Sequence, residues 1–313
     1  MLFPSVGPAQ MSSLAPRVFG LDDDWLPYLN NEGYVVIGNV LPPQTVEKIQ
    51  TEFAREWNVV SPNFDWTDKA TWTSGNSPIM WNKGMAYSSG FGQARFQWLL
   101  RTHPAIQEPW RRIHGTDELV VSYDGFSVFF SPTQKPGNWL HVDQHWSEED
   151  LSIQGAYNFI GSTEKSSGFV VVPRSHVAYR PDTKPSSNGF KPIPEDDPHR
   201  KDAVKLLVPA NSIVLWNSKT IHANIGMTKG TPVRFDRLSS YICYFPKSSR
   251  SEKILERRIA GYENGDNCGH FATRHQVKRH PFGTKARYEA KGFIDLVPDL
   301  EEGAIPEARR ALI

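Results

Sequence analysis

The sequence predicts a mainly β fold of the α+β class, in which an all-β core is flanked by helices at both ends of the chain. From about residue 118 to residue 246, short runs of β-branched and aromatic residues alternate with clusters of Pro, Gly, Ser and Asn. Helical periodicity occurs before and after this region but not within it. Short strands that follow one another without intervening helices favour a barrel or a two-sheet jelly roll over a parallel βαβ sheet.

The N-terminal part combines a tail, a strand and a helix. Residues 1–20 are rich in Ser, Pro, Ala and Gly without a sustained period, which predicts a flexible N-terminal tail. The β-rich run at 33–38 predicts a strand, and the apolar positions that recur every three or four residues after Pro43 predict an amphipathic helix. We therefore expect a single domain over residues 21–313, with a helical N-terminal part to about residue 115.

The core strands are predicted at 118–123, 126–131, 153–160, 168–173, 212–217 and 238–245. Between residues 177 and 205 the chain is polar and proline-rich, which predicts a long surface loop of the kind that often covers a site. After Pro246, an apolar stripe behind the possible N-cap Ser251 predicts a C-terminal helical extension from about residue 248.

Charge and composition exclude several classes of partner. The chain carries 35 basic and 34 acidic residues, and its net charge of +1 creates no long-range field for nucleic acid or an anionic membrane surface. No stretch approaches the roughly 20 apolar residues that a membrane span needs, and the first residues lack a signal-peptide pattern. Cys243 and Cys268 are too few for a disulfide scaffold or a four-thiolate zinc site. A cytoplasmic protein is expected, and its oligomeric state stays open.

A candidate metal site begins at His141 and Asp143. In an extended chain these two positions point to the same face, so an imidazole and a carboxylate can reach one ion. Because a His-x-Asp tripeptide arises by chance in roughly half of chains of this kind, a third ligand is required. His222 lies just past the turn that ends the predicted strand at 212–217, where a jelly roll would bring it beside the first pair.

Two imidazoles and one carboxylate on one face of an ion are typical of non-haem Fe(II) oxygenases, because three coordination positions stay open. A co-substrate and O₂ can then bind the metal directly. A zinc hydrolase is the competing interpretation, but it would need a separate general base, and the sequence contains no His-Glu-x-x-His motif. The ligand set therefore favours Fe(II).

A 2-oxoglutarate co-substrate would require a buried cation after His222 to neutralise its distal carboxylate. Arg234 and Arg237 qualify, and their odd separation puts them on opposite faces of an extended chain. Arg237 is preferred because it begins a β-rich run and shares a face with Ser239, whose hydroxyl could donate to the same carboxylate. The alternative role of either arginine is a surface ion pair with Asp236.

Several segments of the chain resemble the phytanoyl-CoA dioxygenase superfamily, including its secondary-metabolic members, from about Gly33 to about Gly283. The resemblance rests on the segments at 33–46 and 115–125, on HVDQ at 141–144, QGAYNF at 154–159, GFVVVPRSH at 168–176 and LWNSKTIHAN at 215–224. It implies a double-stranded β-helix of the jelly-roll, cupin-like type with flanking N- and C-terminal helices. It also implies Fe(II) at His141, Asp143 and His222, with no catalytic residue beyond these ligands.

The resemblance further implies that an arginine after the second histidine holds 2-oxoglutarate. In the family's pattern Arg237, Tyr244 and Pro246 align with the residues that follow the metal site. A polar residue shortly before the first histidine helps to hold the co-substrate in similar enzymes, and Asn138 is the candidate here. A turn residue is the alternative role of Asn138.

The chain departs from the family pattern at two points. The gap from His222 to Arg237 is longer than usual, which keeps Arg234 open as the co-substrate arginine. Arg174 replaces a customary glycine before a Ser-His pair.

The activity implied by the resemblance consumes 2-oxoglutarate and O₂, releases succinate and CO₂, and oxidises a small-molecule metabolite by hydroxylation, desaturation or oxidative ring closure. Asp143 argues against a halogenase, which lacks this acid to make room for chloride. A catalytically inactive, cupin-like metal-binding module and a protein hydroxylase remain alternatives. The aromatic segment at 81–87 is a candidate substrate wall or lid, and the sequence does not identify the substrate.

Other histidines are expected to play supporting roles. His145 shares a face with the first ligand pair, but a fourth protein ligand would block the open positions, so it should support the ligands or be exposed. Three histidines near Cys268 match no standard zinc spacing. We therefore expect a solvated or packing role for His270, His275 and His280.

Overall fold

Two largely antiparallel β-sheets form the centre of the computed structural model, which describes residues 12–78, 80, 84–130, 139–182, 190–274, 277 and 295–313. The strands of the smaller sheet are, in spatial order, β1 (Ser12–Leu14), β11 (Val204–Leu206), β9 (Gly168–Val171), β13 (His222–Ile225), β7 (His141–Val142) and β10 (Lys191–Pro192). The strands of the larger sheet are β2 (Val18–Phe19), β3 (Tyr34–Gly38), β12 (Ser212–Asn217), β8 (Ile153–Asn158), β14 (Arg237–Pro246), β6 (Phe126–Phe129) and β4 (Met85–Ala86), with β5 (Leu119–Val121) paired to β14.

Helices precede and follow this core, as predicted. Before it lie α1 (Leu26–Glu32), α2 (Pro43–Val60), α3 (Arg95–Arg101) and α4 (Pro104–His114), and after it α6 (Glu252–Glu263) and α7 (Glu307–Arg310). The four-residue helix α5 (Ser175–Ala178) instead lies within the core region, between β9 and β10. Ser251 caps α6 by accepting a hydrogen bond from the backbone N–H of Ile254. The two sheets and these helices confirm the predicted α+β class.

In the described ranges, none of the helices combines the length and the apolar character that crossing a bilayer would require.

The side chains of β12 divide the core between two layers. Ile213 and Leu215 face the helices and belong to the main hydrophobic cluster, together with Trp57 and Trp110. The alternate residues of the strand point between the sheets, where they contact residues of β9 and β11. Because side chains of a strand alternate in direction, a strand buried on both faces reads as the continuous apolar run seen in the sequence.

Successive core strands alternate between the sheets, except that β9, β10 and β11 all lie in the smaller sheet. The larger sheet takes β6, β8, β12 and β14, and the smaller sheet takes β7, β9, β11 and β13. This alternation places β7 beside β13, although 81 positions separate their first residues. The ends of these two strands carry two of the predicted metal ligands.

The predicted flexible tail needs correction from Ser12 onward; residues 1–11 lie outside the described part of the chain. Ser12–Leu14 pairs in parallel with β11, and Val18–Phe19 pairs in parallel with β3. The outer edge of a sheet offers unpaired backbone groups, and a segment can satisfy them whatever its side chains are. Composition alone therefore gave no signal for these two edge strands.

Arg174, the residue that departs from the family pattern, has a φ of 62°. This left-handed conformation favours glycine and strains other residues. The backbone N–H of Arg174 donates to the carbonyl of Glu32, and its guanidinium also donates to the carboxylate of Glu32. These contacts with the end of α1 stabilise the turn that a glycine would adopt without strain.

Candidate metal and co-substrate site

A pocket opens at the end of the two sheets where β7 meets β13. Residues of both sheets line it. Aromatic rings form much of the wall, among them Trp139, Phe169 and Trp216. Other tryptophans pack elsewhere, since Trp57 and Trp98 are fully buried in the main core.

The structure brings the three predicted metal ligands together in this pocket. Nε2 of His222 lies 3.3 Å from Oδ2 of Asp143, and Nε2 of His141 lies 3.6 Å from Oδ1 of Asp143. One ligand atom from each residue fits within 4.8 Å of the other two, and all three side chains are buried. Atoms that each bind one ion at about 2.1 Å are separated by roughly this distance, so the donor set fits a single metal ion.

Backbone carbonyls orient both imidazoles. Nδ1 of His141 lies 3.0 Å from the carbonyl oxygen of Trp139, and Nδ1 of His222 lies 2.9 Å from the carbonyl oxygen of Thr220. Each Nδ1–H can donate to its carbonyl, which leaves the lone pair of Nε2 for a metal. This is the tautomer and the kind of support that metal-binding histidines use.

Asp143 is held from two directions. Its backbone N–H donates to the carbonyl of Ser218, 3.0 Å away, in the turn that precedes His222. Its Oδ2 accepts a 2.8 Å hydrogen bond from Nε2 of Gln154 on β8, and the same amide nitrogen lies 3.0 Å from Oγ of Ser218. Gln154 lies in a segment that carries the family resemblance, but no role was predicted for it. The sequence of one strand does not show which side chains of other segments lie beside it in the fold.

The charge states at this site suit a cation. Burial, followed by the proximity of His222, lowers the pKa of His141 to about 3, so its imidazole is neutral near pH 7. Burial alone would raise the pKa of Asp143, but the imidazoles of His141 and His270 outweigh it and hold that pKa well below its ordinary value. A neutral imidazole and an ionised carboxylate are the forms that bind a metal.

The two candidate arginines occupy different environments. Arg237 is buried, lines the pocket, and donates from Nε to Oγ of Ser127 at 3.0 Å. Its Nη2 is buried and has no hydrogen-bond acceptor among the described residues, and burial lowers the pKa of this guanidinium. Arg234 lies outside β14 with 45% of its side chain exposed, and it forms an ion pair with Asp236 at 2.8 Å. The surface ion pair considered as an alternative role is thus found at Arg234.

Ser239, another predicted co-substrate residue, is not in a position comparable to that of Arg237. Ser239 is fully buried, and its hydroxyl donates to Oδ1 of Asn158, its cross-strand neighbour on β8, at 2.7 Å. Asn138 lies outside the described residues. Tyr244, aligned with the family pattern, is buried away from the pocket and donates to the carbonyl of Arg101 at 2.6 Å.

His270 occupies a place that its sequence context did not indicate. It lines the pocket instead of serving only as a solvated or packing residue. The segment that carries it is anchored on both sides, since the N–H of Cys268 donates to the carbonyl of Tyr123 and Arg258 donates to the carbonyl of Ala272. His275 and His280 lie outside the described residues.

The remaining predictions concern residues near the mouth. His145 is buried and lies within hydrogen-bonding distance of Ser147 and of the carbonyl of Pro181, so it stands apart from the three ligands. Of the candidate substrate wall at 81–87, Met85 and Tyr87 line the pocket, whereas residues 81–83 lie outside the described ranges. Asp124, a buried acid not singled out from the sequence, also lines it.

Comparison with known proteins agrees with the resemblance seen in the sequence. The family model of phytanoyl-CoA dioxygenase (PhyH) matches residues 29–225, which is more than half of the chain. The Ava biosynthesis cluster protein O of Aspergillus versicolor is 24% identical over 265 residues, covering 77% of this chain and 83% of that protein.

Solved structures that are similar to this chain include the epimerase SnoN in complex with Fe³⁺, alpha-ketoglutarate and nogalamycin RO. It is 17% identical, with a TM-score of 0.48 over 69% of this chain and 80% of that chain. The non-heme monooxygenase ThoJ in its apo form is 16% identical, with a TM-score of 0.45 over 71% of this chain and 77% of that chain. By the match to the family model, the chain belongs to the phytanoyl-CoA dioxygenase family and is a 2-oxoglutarate-dependent oxygenase, as its sequence predicted.

Proposed function

We propose that this protein is an Fe(II)/2-oxoglutarate-dependent dioxygenase that oxidises a small-molecule metabolite by hydroxylation, desaturation or oxidative ring closure, with release of succinate and CO₂. One observation carries the proposal. A buried His-Asp-His donor set shares a pocket with Arg237, whose Nη2 has no acceptor in the described part of the chain. The pocket therefore provides three ligand atoms for a metal ion. It also provides the buried positive charge of Arg237, which can bind an anion.

The protein's own groups divide the work. His141, Asp143 and His222 would hold Fe(II) by one face, and the ion would supply the activation of O₂. Arg237 would neutralise the distal carboxylate of 2-oxoglutarate, since a guanidinium matches a carboxylate in charge and shape. The aromatic walls would exclude water and position the substrate. Asn138 and Ser239 remain predicted co-substrate residues.

The fold supports the same proposal. We interpret the eight strands β6 to β9 and β11 to β14, which are shared equally between the two sheets, as a double-stranded β-helix. In such a fold the ends of distant strands meet at one opening, which suits a site assembled from β7 and β13.

The substrate class is proposed from a relative and from the charge of the chain. A relative named for a biosynthesis cluster supports a small molecule of secondary metabolism. A net charge of +1 gives no support to a nucleic-acid substrate. Cytoplasmic localisation stays a prediction.

The test is succinate formation from 2-oxoglutarate. Purified protein is loaded with Fe(II) without oxygen and is then exposed to O₂ and to 2-oxoglutarate that carries a ¹³C label at C1. The label leaves as ¹³CO₂, which is measured together with the unlabelled succinate. Equal amounts of both products, lost without iron, are expected. Iron binding without decarboxylation would instead favour the inactive metal-binding module. Addition of a metabolite extract or of a peptide library shows which of the two raises turnover, which separates a metabolite oxygenase from a protein hydroxylase.

A further inference from the structure

We propose that Trp139 is a positioning residue that fixes His141 relative to His222 by joining the two strands that carry them. This inference rests on the proposed function, because it assumes that the two histidines hold one ion.

The backbone joins these strands at few points. β7 consists of two residues, and its pairing with β13 consists of the single pair His141 and His222. Outside the ladder, the N–H groups of Asp143 and Gln144 donate to the carbonyl of Ser218, in the turn before His222. A ladder of one pair fixes neither the separation nor the angle of two strands as a longer ladder does. Side chains must therefore contribute to the alignment of the two imidazoles.

Trp139 contacts His141 in two ways. Its carbonyl oxygen lies 3.0 Å from Nδ1 of His141 and accepts that proton. Its indole ring stacks on the imidazole, with 4.3 Å between the ring centroids and an angle of 14° between the planes. The carbonyl sets the direction of Nε2, and the stacked ring limits rotation of the imidazole out of its plane.

Trp139 also reaches across to β13. Its indole N–H points at two oxygens of Asn224, the backbone carbonyl and Oδ1, each 3.0 Å away. Asn224 lies two positions after His222 on the same strand. One side chain thus joins the first metal ligand to the strand of the third.

Trp216 provides a matched comparison. It also lines the pocket, and its ring centroid lies 5.2 Å from that of His222. Its indole nitrogen, however, is buried without an acceptor in the described part of the chain. If tryptophans in this pocket serve only as an aromatic wall, replacing either by phenylalanine should have similar effects. If the indole N–H of Trp139 aligns the ligands, only its loss should weaken metal binding.

The experiment compares Trp139→Phe, Trp216→Phe and the unmodified full-length protein, using Co(II) as the probe. Affinity is measured by competition with a chromophoric chelator, and ligand geometry by the visible absorption of the Co(II) protein. We expect the dissociation constant of Trp139→Phe to rise about tenfold, as for lost support of a metal ligand, and its spectrum to change. Trp216→Phe should bind within about twofold of the unmodified protein.

Each other outcome has a defined meaning. Equal changes in the two phenylalanine variants, or an unchanged Trp139→Phe, would overturn the positioning role while leaving the proposed function intact. Absence of Co(II) and Fe(II) binding by the unmodified protein would instead defeat the proposed function. Should Trp139→Phe fail to fold, Asn224→Ala is measured instead, because it removes one of the two acceptors of the indole N–H. The Co(II) dissociation constant is then expected to rise about threefold, and an unchanged value would reject the inference.

Discussion

The two ends of the pocket differ in how completely the protein satisfies its own polar groups. At the metal end, His141 and His222 each have a carbonyl acceptor for Nδ1, and Gln154 donates to Asp143. The other end, called the carboxylate end here, is the region around Arg237 where the distal carboxylate of 2-oxoglutarate is proposed to bind. There, Nε of Arg237 donates to Ser127, but Nη2 has no acceptor among the residues that the structure describes. The two imidazoles are thus oriented in advance, whereas Nη2 of Arg237 lacks a partner that, under the proposed function, the co-substrate would supply.

This difference indicates which residues should determine the affinity for an anion at Arg237 and for a metal ion at the three ligands. A buried donor without an acceptor costs about 1–3 kcal/mol, and more when it is charged, so an anion that reaches Arg237 recovers that cost. The metal ligands are already paired, and their supports determine how well they are aligned. Binding at the carboxylate end should thus depend on one residue, and binding at the metal end on several.

The largest effect is expected when the side chain of the metal ligand Asp143 is removed. Asp143→Ala leaves two histidines, and we expect Fe(II)-dependent succinate formation to fall by a factor on the order of 100 or more. The measurement is labelled CO₂ release, with circular dichroism as a check of the fold. Residual activity above a tenth of the original would mean that the metal lies elsewhere.

The next effect distinguishes the two arginines. Truncating one partner of a buried charge pair costs about 2–5 kcal/mol, so Arg237→Leu should raise the dissociation constant of 2-oxoglutarate on the order of 100-fold in Mn(II)-loaded protein. Arg234→Leu is the control, because that side chain is exposed and paired with Asp236. Its effect should stay within about twofold. A larger loss in Arg234→Leu would reverse the assignment.

A smaller effect tests whether supports matter at the metal end. Gln154→Ala removes the hydrogen bond to Asp143 and should weaken Co(II) binding about tenfold. Gln144→Ala is the control, since Gln144 is equally buried but donates to the carbonyl of Asp150 instead of to a ligand. Calorimetric titration of both variants measures the difference. Equal losses would show that the supports act through stability alone.

The smallest effect concerns the one support at the carboxylate end. Ser127→Ala leaves Nε of Arg237 without its hydroxyl acceptor, and we expect a rise of about fivefold in the dissociation constant of 2-oxoglutarate, equivalent to about 1 kcal/mol. Ser239→Ala is informative beside it, because the hydroxyl of Ser239 already donates to Asn158. An effect of Ser239→Ala larger than that of Ser127→Ala would support the co-substrate role predicted for Ser239 from the sequence.

Much of the metal end could be predicted because it depends on local geometry. The two-residue period of a strand placed His141 and Asp143 on one face, and a position just past a buried strand identified His222. The same period separated Arg234 from Arg237. Each of these inferences needs only the direction of side chains along one segment.

The remaining features depend on contacts between segments. Ser239 does share a strand with Arg237, but its hydroxyl is taken by Asn158 directly opposite, and the register of two strands is not visible in either one alone. Similarly, His270 reaches the pocket because Cys268 and Ala272 are bound to distant parts of the chain. Residues from Ser12 onward form sheet edges through their backbone, which composition does not encode.

The single pair that joins β7 to β13 has a consequence for the stability of the protein. An ion shared by His141 and His222 would act as a staple across this seam, closing a loop of 81 positions. Loss of the ion should then separate β7 from β13 before the rest of the protein unfolds. Chelation should therefore expose the pocket mouth to proteases while the larger, helix-covered sheet stays intact.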